Sequence, residues 1–240
     1  YAEVQDPTYL LNKRSRYKTF QESLTLISPF LPDKGNLLEV GSYCGFFLDT
    51  FKKKYNSWDG IGVEPSKWAS EYARSQLKIN TRTGTLEDNI KELGSDYDAV
   101  VAWDVLEHLN DPSAFLIQIN SVMKLNGIFC FSTLDINNWF PKLMGKHWPW
   151  LMEMHLFYYK TDTTEQLLNE AGIKILATEK YIHYVSIHYL VGKIIAILPG
   201  WLEKPLNIAR SAMPQKIMIP ISFGDIKLYI CEKDKSIGRM

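Results

Sequence analysis

The chain has 240 residues, enough to bury one α/β core with an insertion or at most two small domains. Its 27 basic and 27 acidic residues cancel, so the basic footprint of nucleic-acid binding is absent and a nucleic-acid partner is disfavoured. Cys44, Cys130 and Cys231 have no C-x-x-C spacing, which suggests neither a disulfide framework nor a zinc site and makes a reducing cytosol the expected compartment. The chain begins at Tyr1 without a basic-then-apolar leader, and the expectation is a piece excised from a longer protein.

Strands and helices are predicted to alternate, as in a parallel sheet covered on both faces. An N-terminal helix is expected over Leu10 to Ile27, stopped by Pro29 and Pro32, followed by a first strand from Asn36 to Val40. A helix opens after Gly45 and runs to about Tyr55; the second strand, Gly60 to Val63, ends on Glu64. Pro65-Ser66 starts a helix to about Gln76, and a weak third strand covers Thr81 to Gly84. The apolar run Ala99 to Trp103 is the fourth strand, Asp111 caps a helix opening at Pro112, and Asn126-Gly127 turns into a fifth strand ending at Thr133.

The first strand, glycine turn and helix are the most informative stretch. Glu64 lies 23 residues after Gly41, where nucleotide-binding sheets place the acid that takes ribose hydroxyls. Tyr43 and Phe46 occupy places where the dinucleotide fingerprint needs glycine, and no phosphate-binding loop is present. The sequence instead resembles the first motif, E/D-x-G-x-x-x-G, of class I S-adenosylmethionine-dependent methyltransferases, through Glu39, Gly41 and Gly45. That family usually has a third glycine at the place of Tyr43, a departure that either keeps the loop in an ordinary conformation with the ring covering the cofactor or marks a degenerate site.

Asp98 to Leu109 resembles the fourth motif of the small-molecule branch, with V-L-E-H-L after the strand, and Thr163 to Ile173 resembles the element before its sixth strand. The resemblance spans about Phe20 to Asp234 and implies a Rossmann-like α/β fold: a seven-stranded, mostly parallel sheet, the last strand antiparallel, with helices on both faces. It implies S-adenosylmethionine as cofactor, S-adenosylhomocysteine as product, and contacts from Glu39, Gly41, Ser42, Tyr43, Gly45, Glu64, Pro65, Thr85, Leu86 and Asp104. The bland alternatives are that Glu39 braces the turn, Glu64 is a solvated strand-end acid and Leu86 is packing.

If the chain is helical there, Asp104, Glu107 and His108 share a face. Such residues could hold a divalent ion, a role considered for the ubiquinone-type O-methyltransferases that this motif resembles; local hydrogen bonding is the preferred reading, and no metal is expected.

Residues 134–160 form an aromatic lid loop whose His147, Trp148, Trp150, His155, Tyr158 and Tyr159 are acceptor-site candidates, set against a plain hydrophobic plug. Residues 183–222 are read as a helical insertion before the last strand, Asp225 to Glu232. Within it, 186–213 is expected to be a helical hairpin that caps the acceptor site or forms a homodimer surface, with a peripheral membrane helix as the alternative. It is too short and interrupted to span a bilayer.

The expectation is one methyltransferase domain over 1–240 that passes a methyl group to a small-molecule, glycan-like or lipid-like acceptor, with Asp104 at the cofactor's methionine end and His155 or His147 as a base. The competing readings are a non-catalytic binding module of the same fold and, less well supported, an NAD-dependent oxidoreductase.

Overall fold

The computed structural model describes residues 7–195, 204, 206–208, 211 and 217–234. Two helices, α1 (Pro7–Leu11) and α2 (Lys13–Ile27), precede the sheet. The single helix expected from Leu10 is therefore broken, with Asn12 outside helical geometry at φ −89° and ψ 12°.

The first strand β1 (Asn36–Val40) leads through the glycine loop to α3 (Phe46–Lys54) and β2 (Asp59–Glu64). Next come α4 (Lys67–Gln76), capped by Ser66 Oγ accepting from Ala69 N, then β3 (Thr81–Thr83) and α5 (Leu86–Leu93). The fourth strand β4 (Tyr97–Trp103) is followed by a 3₁₀ turn over Leu106–His108 and by α6 (Pro112–Val122), with Asp111 as the cap and proline at the first helical position.

β5 (Met123–Leu134) begins earlier than the Asn126-Gly127 signal suggests. The turn residues sit inside the strand as an irregularity: Tyr97 pairs with Met123 and Ala99 with Ile128, and Asn126 takes φ +61° to absorb the extra residues. The remaining elements are α7 (Trp139–Met144), α8 (Thr161–Glu170), β6 (Ile173–Lys180), β7 (His183–Ser186), α9 (Ile187–Ile195), β8 (Met218–Ile221) and β9 (Ile226–Lys233).

The main sheet has seven strands in the order β3-β2-β1-β4-β5-β9-β6, and β9 runs antiparallel to both β5 and β6. Parallel pairing aligns Val40 with Val63 and with Ala102, which brings Gly41, Glu64 and Asp104 to one edge at the strands' carboxyl ends. Each face buries its own apolar cluster. Phe47, Phe51, Val101 and Cys130 lie in one, and Val40, Val100, Phe129 and Leu116 in the other. The alternation within β4 is thus a division between two cores.

The described part of the insertion is framed by strands: β7 and β8 pair antiparallel and carry α9 between them. Most of the second half of the expected hairpin lies outside the described residues. β7 leans on the N-terminal helices, Tyr184 N donating to Thr19 Oγ1 at 2.9 Å. Among the described residues no helix is long and apolar enough to cross a membrane.

Candidate functional site

The glycine loop is pinned to the end of β2, since the N–H groups of Gly41 and Ser42 donate to Val63 O at 2.9 and 3.1 Å. Gly41, Tyr43 and Gly45 all hold positive φ, at +73°, +44° and +77°. A Cβ on Gly41 would lie 2.7 Å from Val105 Cγ2, so close approach as well as backbone conformation demands glycine there.

Tyr43 does not take the ordinary conformation expected of a bulky residue. It occupies the left-handed region that a third glycine would fill, at a cost of about 1–2 kcal/mol. What offsets this is its packing, edge-on to Tyr9 with centroids 4.5 Å apart and 6.1 Å from Trp68, together with its N–H donating to Glu64 Oε2 at 2.8 Å. Sequence reasoning had no signal for Tyr9. Its ring also stacks on Phe46 at 5.4 Å, and Glu39 and Asp104 lie near enough to help burial raise its hydroxyl pKa. The first helix therefore lies over the loop.

Glu64 is buried and not a solvated strand-end acid. Its second oxygen, Oε1, accepts from Ser66 N at 2.7 Å, so residues on both sides of it hold its carboxylate in place. Burial raises its pKa, and the two N–H bonds act against that rise. Glu39 is buried as well; it accepts from the Leu48 N–H in the first turn of α3, yet its Oε2 has no hydrogen-bond partner among the described residues. Burial pushes its pKa well above the ordinary carboxylate range. Ser42 Oγ likewise is buried without a partner among the described residues.

Buried polar atoms left unpaired are costly, and here they line the loop that the motif assigns to S-adenosylmethionine. Each oxygen of the Glu64 carboxylate keeps a further lone pair for a ribose hydroxyl. The residues present fit the ribose and amino-acid groups of that cofactor. Its adenine end is less distinctive: Thr85 and Asp88 form a capping box for α5, and Leu86 is buried. Gly84 N donates to Glu64 O at 3.0 Å, which sets this segment beside the ribose acid.

After β4 the chain turns sharply at Asp104, φ +53°, where Ser132 Oγ donates to Asp104 Oδ1 at 2.6 Å. The segment beyond is one 3₁₀ turn and not an α-helix, so the shared helical face expected for Asp104, Glu107 and His108 does not form. All three nevertheless border one cavity. Glu107 is buried and accepts from Thr133 Oγ1 at 3.0 Å; burial and then the Asp104 charge push its pKa up to about 8.

His108 Nδ1 lies 2.9 Å from Met154 O, and His155 Nδ1 lies 2.7 Å from Trp150 O. A ring nitrogen facing a carbonyl must carry the proton. The two rings are edge-on with centroids 4.7 Å apart. Glu107, His108 and His155 each offer one ligand atom within 4.8 Å of the others, a donor set suited to a divalent cation.

The cavity measures about 590 Å³, within the range of small-molecule sites. Lid residues Trp150, Met154 and His155 wall it on one side, insertion residues His183, Tyr184 and Tyr189 on another, and Arg16 of α2 closes it. His147 is exposed and does not border the cavity. Trp148 and Tyr159 belong to the core: Trp148 Nε1 donates to Asp225 Oδ2 at 2.8 Å, and Tyr159 Oη to Leu106 O at 3.0 Å. Tyr158 braces the lid from behind, its hydroxyl bonded to the backbone of Trp150 and Met152. A second cavity of about 450 Å³ lies at the opposite edge of the sheet, against Asn36, Asp59 and Asp96, away from the glycine loop.

A family model described as a methyltransferase domain matches residues 12–178. The chain belongs to this family and is a class I S-adenosylmethionine-dependent methyltransferase domain. A ubiquinone biosynthesis O-methyltransferase of Rhodopseudomonas palustris strain HaA2 is 29% identical over 156 residues, covering 54% of this chain and 59% of that protein. One of Escherichia fergusonii is 27% identical over 114 residues, covering 45% and 48%. The chain thus spans about half the length of the curated relatives it matches. Among solved structures, a SAM-dependent methyltransferase of Archaeoglobus fulgidus aligns with TM-score 0.62 at 16% identity, covering 95% of this chain and all of that one. The magnesium protoporphyrin IX methyltransferase of Synechocystis with bound SAH aligns at 0.58 and 13%, covering 97% and 90%. These likenesses show the fold.

Proposed function

We propose that this chain transfers the methyl group of S-adenosylmethionine to an aromatic hydroxyl of a small, partly apolar acceptor held in the cavity of about 590 Å³. The observation that carries the reading is that Asp104 stands at the junction: it follows β4 at the carboxyl edge beside Gly41 and Glu64, and it also borders the cavity. The sulfonium of S-adenosylmethionine supplies an activated methyl group, so the chain's work is alignment and exclusion of water. Aromatic walls from Trp150, Tyr181 and Phe223 suit a flat ring, and the relatives named for O-methylation in ubiquinone biosynthesis support oxygen as the acceptor atom.

Glu64 orients the ribose, Glu39 and Ser42 receive polar groups at the loop, and Tyr9 and Tyr43 cover it. Pro65 shapes the turn beside Glu64. Residues 1–240 act as one methyltransferase domain, in which the 134–160 lid and the described part of the 183–222 insertion wall the acceptor side together. Met152, Met154, Tyr189 and Phe223 are exposed apolar residues at the cavity wall, which supports an acceptor with an apolar tail and a cytoplasmic protein that touches a membrane surface. Calorimetry with S-adenosylhomocysteine, followed by transfer of labelled methyl to a panel of catechols and phenols, tests the reading. Binding without transfer to any of them would favour the non-catalytic module.

A second reading concerns the cluster of Glu107, His108 and His155, whose spacing favours a divalent cation beside the acceptor. Transfer lost on chelation and restored by Mg²⁺ or Zn²⁺ would support it. Unchanged transfer after chelation would leave the cluster as local hydrogen bonding.

A further inference from the structure

His183 opens β7, the first strand of the insertion, and pairs with Ile221 of β8. Its ring is gripped on two sides, stacked on Trp150 with centroids 5.7 Å apart and edge-on to Tyr181 at 4.8 Å. The ring borders the acceptor cavity, and its Nε2 is buried without a hydrogen-bond partner among the described residues. An imidazole nitrogen hidden from water in this way calls for a hydrogen-bond partner that the described residues do not provide, and in the Nδ1–H tautomer that partner is a donor. The other cavity histidines differ: His155 donates through Nδ1 to Trp150 O, His108 through Nδ1 to Met154 O, and both belong to the cluster with Glu107.

We propose, on the methyltransferase reading above, that His183 is the catalytic base that takes the proton of the acceptor hydroxyl at Nε2. The acceptor oxygen gains the methyl carbon as the carbon–sulfur bond breaks, and its O–H electrons stay on oxygen while the proton moves to the imidazole. Charge is conserved: one positive charge leaves the sulfonium and one appears on His183. The proton then returns to solvent when the methylated product departs.

The surroundings fit both stages. Burial lowers the His183 pKa, so the ring is neutral and able to accept near pH 7. The charged groups that border the same cavity and act on it are Asp104 after β4, Arg16 of α2 and Asp225 before β9. The two carboxylates stabilise the imidazolium once it forms, and Arg16 opposes its premature protonation. Tyr181 and Trp150 pack against the ring and restrict its rotation. A pairing of neutral histidine with flanking carboxylates was invisible in the sequence, because Arg16, Asp104, His183 and Asp225 come from four separate segments.

The test uses the full chain saturated with S-adenosylhomocysteine and 4-nitrophenol as the probe, whose phenolate absorbs in the visible. The bound probe should ionise at least about one pH unit lower in the wild type than in His183→Gln or His183→Asn, a tenfold shift. Equal ionisation in wild type and variants would overturn the proposal, even if transfer rates fell. Calorimetry with S-adenosylhomocysteine checks that each variant is folded. Should both variants fail it, ¹³C NMR of the histidines in the wild type decides: the His183 ring, recognised by its contacts with Trp150 and Tyr181, must become charged on probe binding, and no change there, or a change at another histidine instead, refutes the assignment. Failure of the wild type to bind S-adenosylhomocysteine would defeat the methyltransferase reading itself. Cofactor binding without probe binding would defeat only the aromatic-hydroxyl base assigned here.

Discussion

The backbone N–H of Tyr43 donates to Glu64 Oε2 across 2.8 Å, tying the glycine loop after β1 to the acid at the tip of β2. One carboxylate thus fixes the loop's shape and remains the best-placed acceptor for ribose hydroxyls. The bond anchors the peptide plane just before Tyr43, so the positive φ that a tyrosine ordinarily avoids starts from a fixed position.

Glu64→Ala should weaken S-adenosylhomocysteine binding by roughly 1.5–3 kcal/mol, the worth of hydrogen bonds to a charged acceptor. It also strands the N–H groups of Tyr43 and Ser66, so the loop should loosen. Titration calorimetry measures the first effect and amide exchange at both residues the second. Affinity equal to wild type would remove Glu64 from the ribose site.

Tyr43→Gly relieves the left-handed backbone but deletes a ring that packs on Tyr9 and Trp68. The expected outcome is a several-fold loss of cofactor affinity, because the cover over the loop goes with the ring. A tenfold gain, about 1.4 kcal/mol, would show instead that the ring obstructs the site.

Gly41→Ala should destabilise the fold by at least about 1–2 kcal/mol from backbone conformation, with a further loss from the contact with Val105 Cγ2. Val105→Ala in the same chain should recover only the contact part, which a double-mutant cycle in urea reads directly. Simple additivity of the two changes would mean that Val105 yields to the new Cβ without cost.

Glu107 gives a pH signature in the metal-free protein. Its folded pKa, about 8, lies above the ordinary glutamate value of 4.5. The native state therefore binds the extra proton. The stabilisation is complete below about 4.5 and is lost as pH rises through 8, at up to roughly 1.4 kcal/mol per unit between these limits. Urea midpoints should fall across that window in the wild type and stay flatter in Glu107→Gln. Parallel curves would mean that Glu107 is ionised in the folded protein.

Local chemistry decided much of this protein. Asn36–Val40 forms a strand because apolar residues line both faces of a buried sheet, Asp111 and Pro112 start α6 through their capping and φ preferences, and the spacing of Gly41 to Glu64 places an acid at the next strand tip. Each of these depends on residues within one βαβ unit, so each was legible in the sequence. Tertiary structure alone decided which aromatic residues of the lid face a ligand: Trp148 and Tyr159 went into the core because Asp225 and the Leu106 carbonyl satisfy their polar ends, while Trp150 and His155 remained at the cavity. It also laid Tyr9 over the loop, replaced the expected helix at Asp104 with a sharp turn, and brought His183 to the cavity that Asp104 and Asp225 border. Contacts between segments this far apart depend on strand order and packing, and no short-range pattern of residues encodes them.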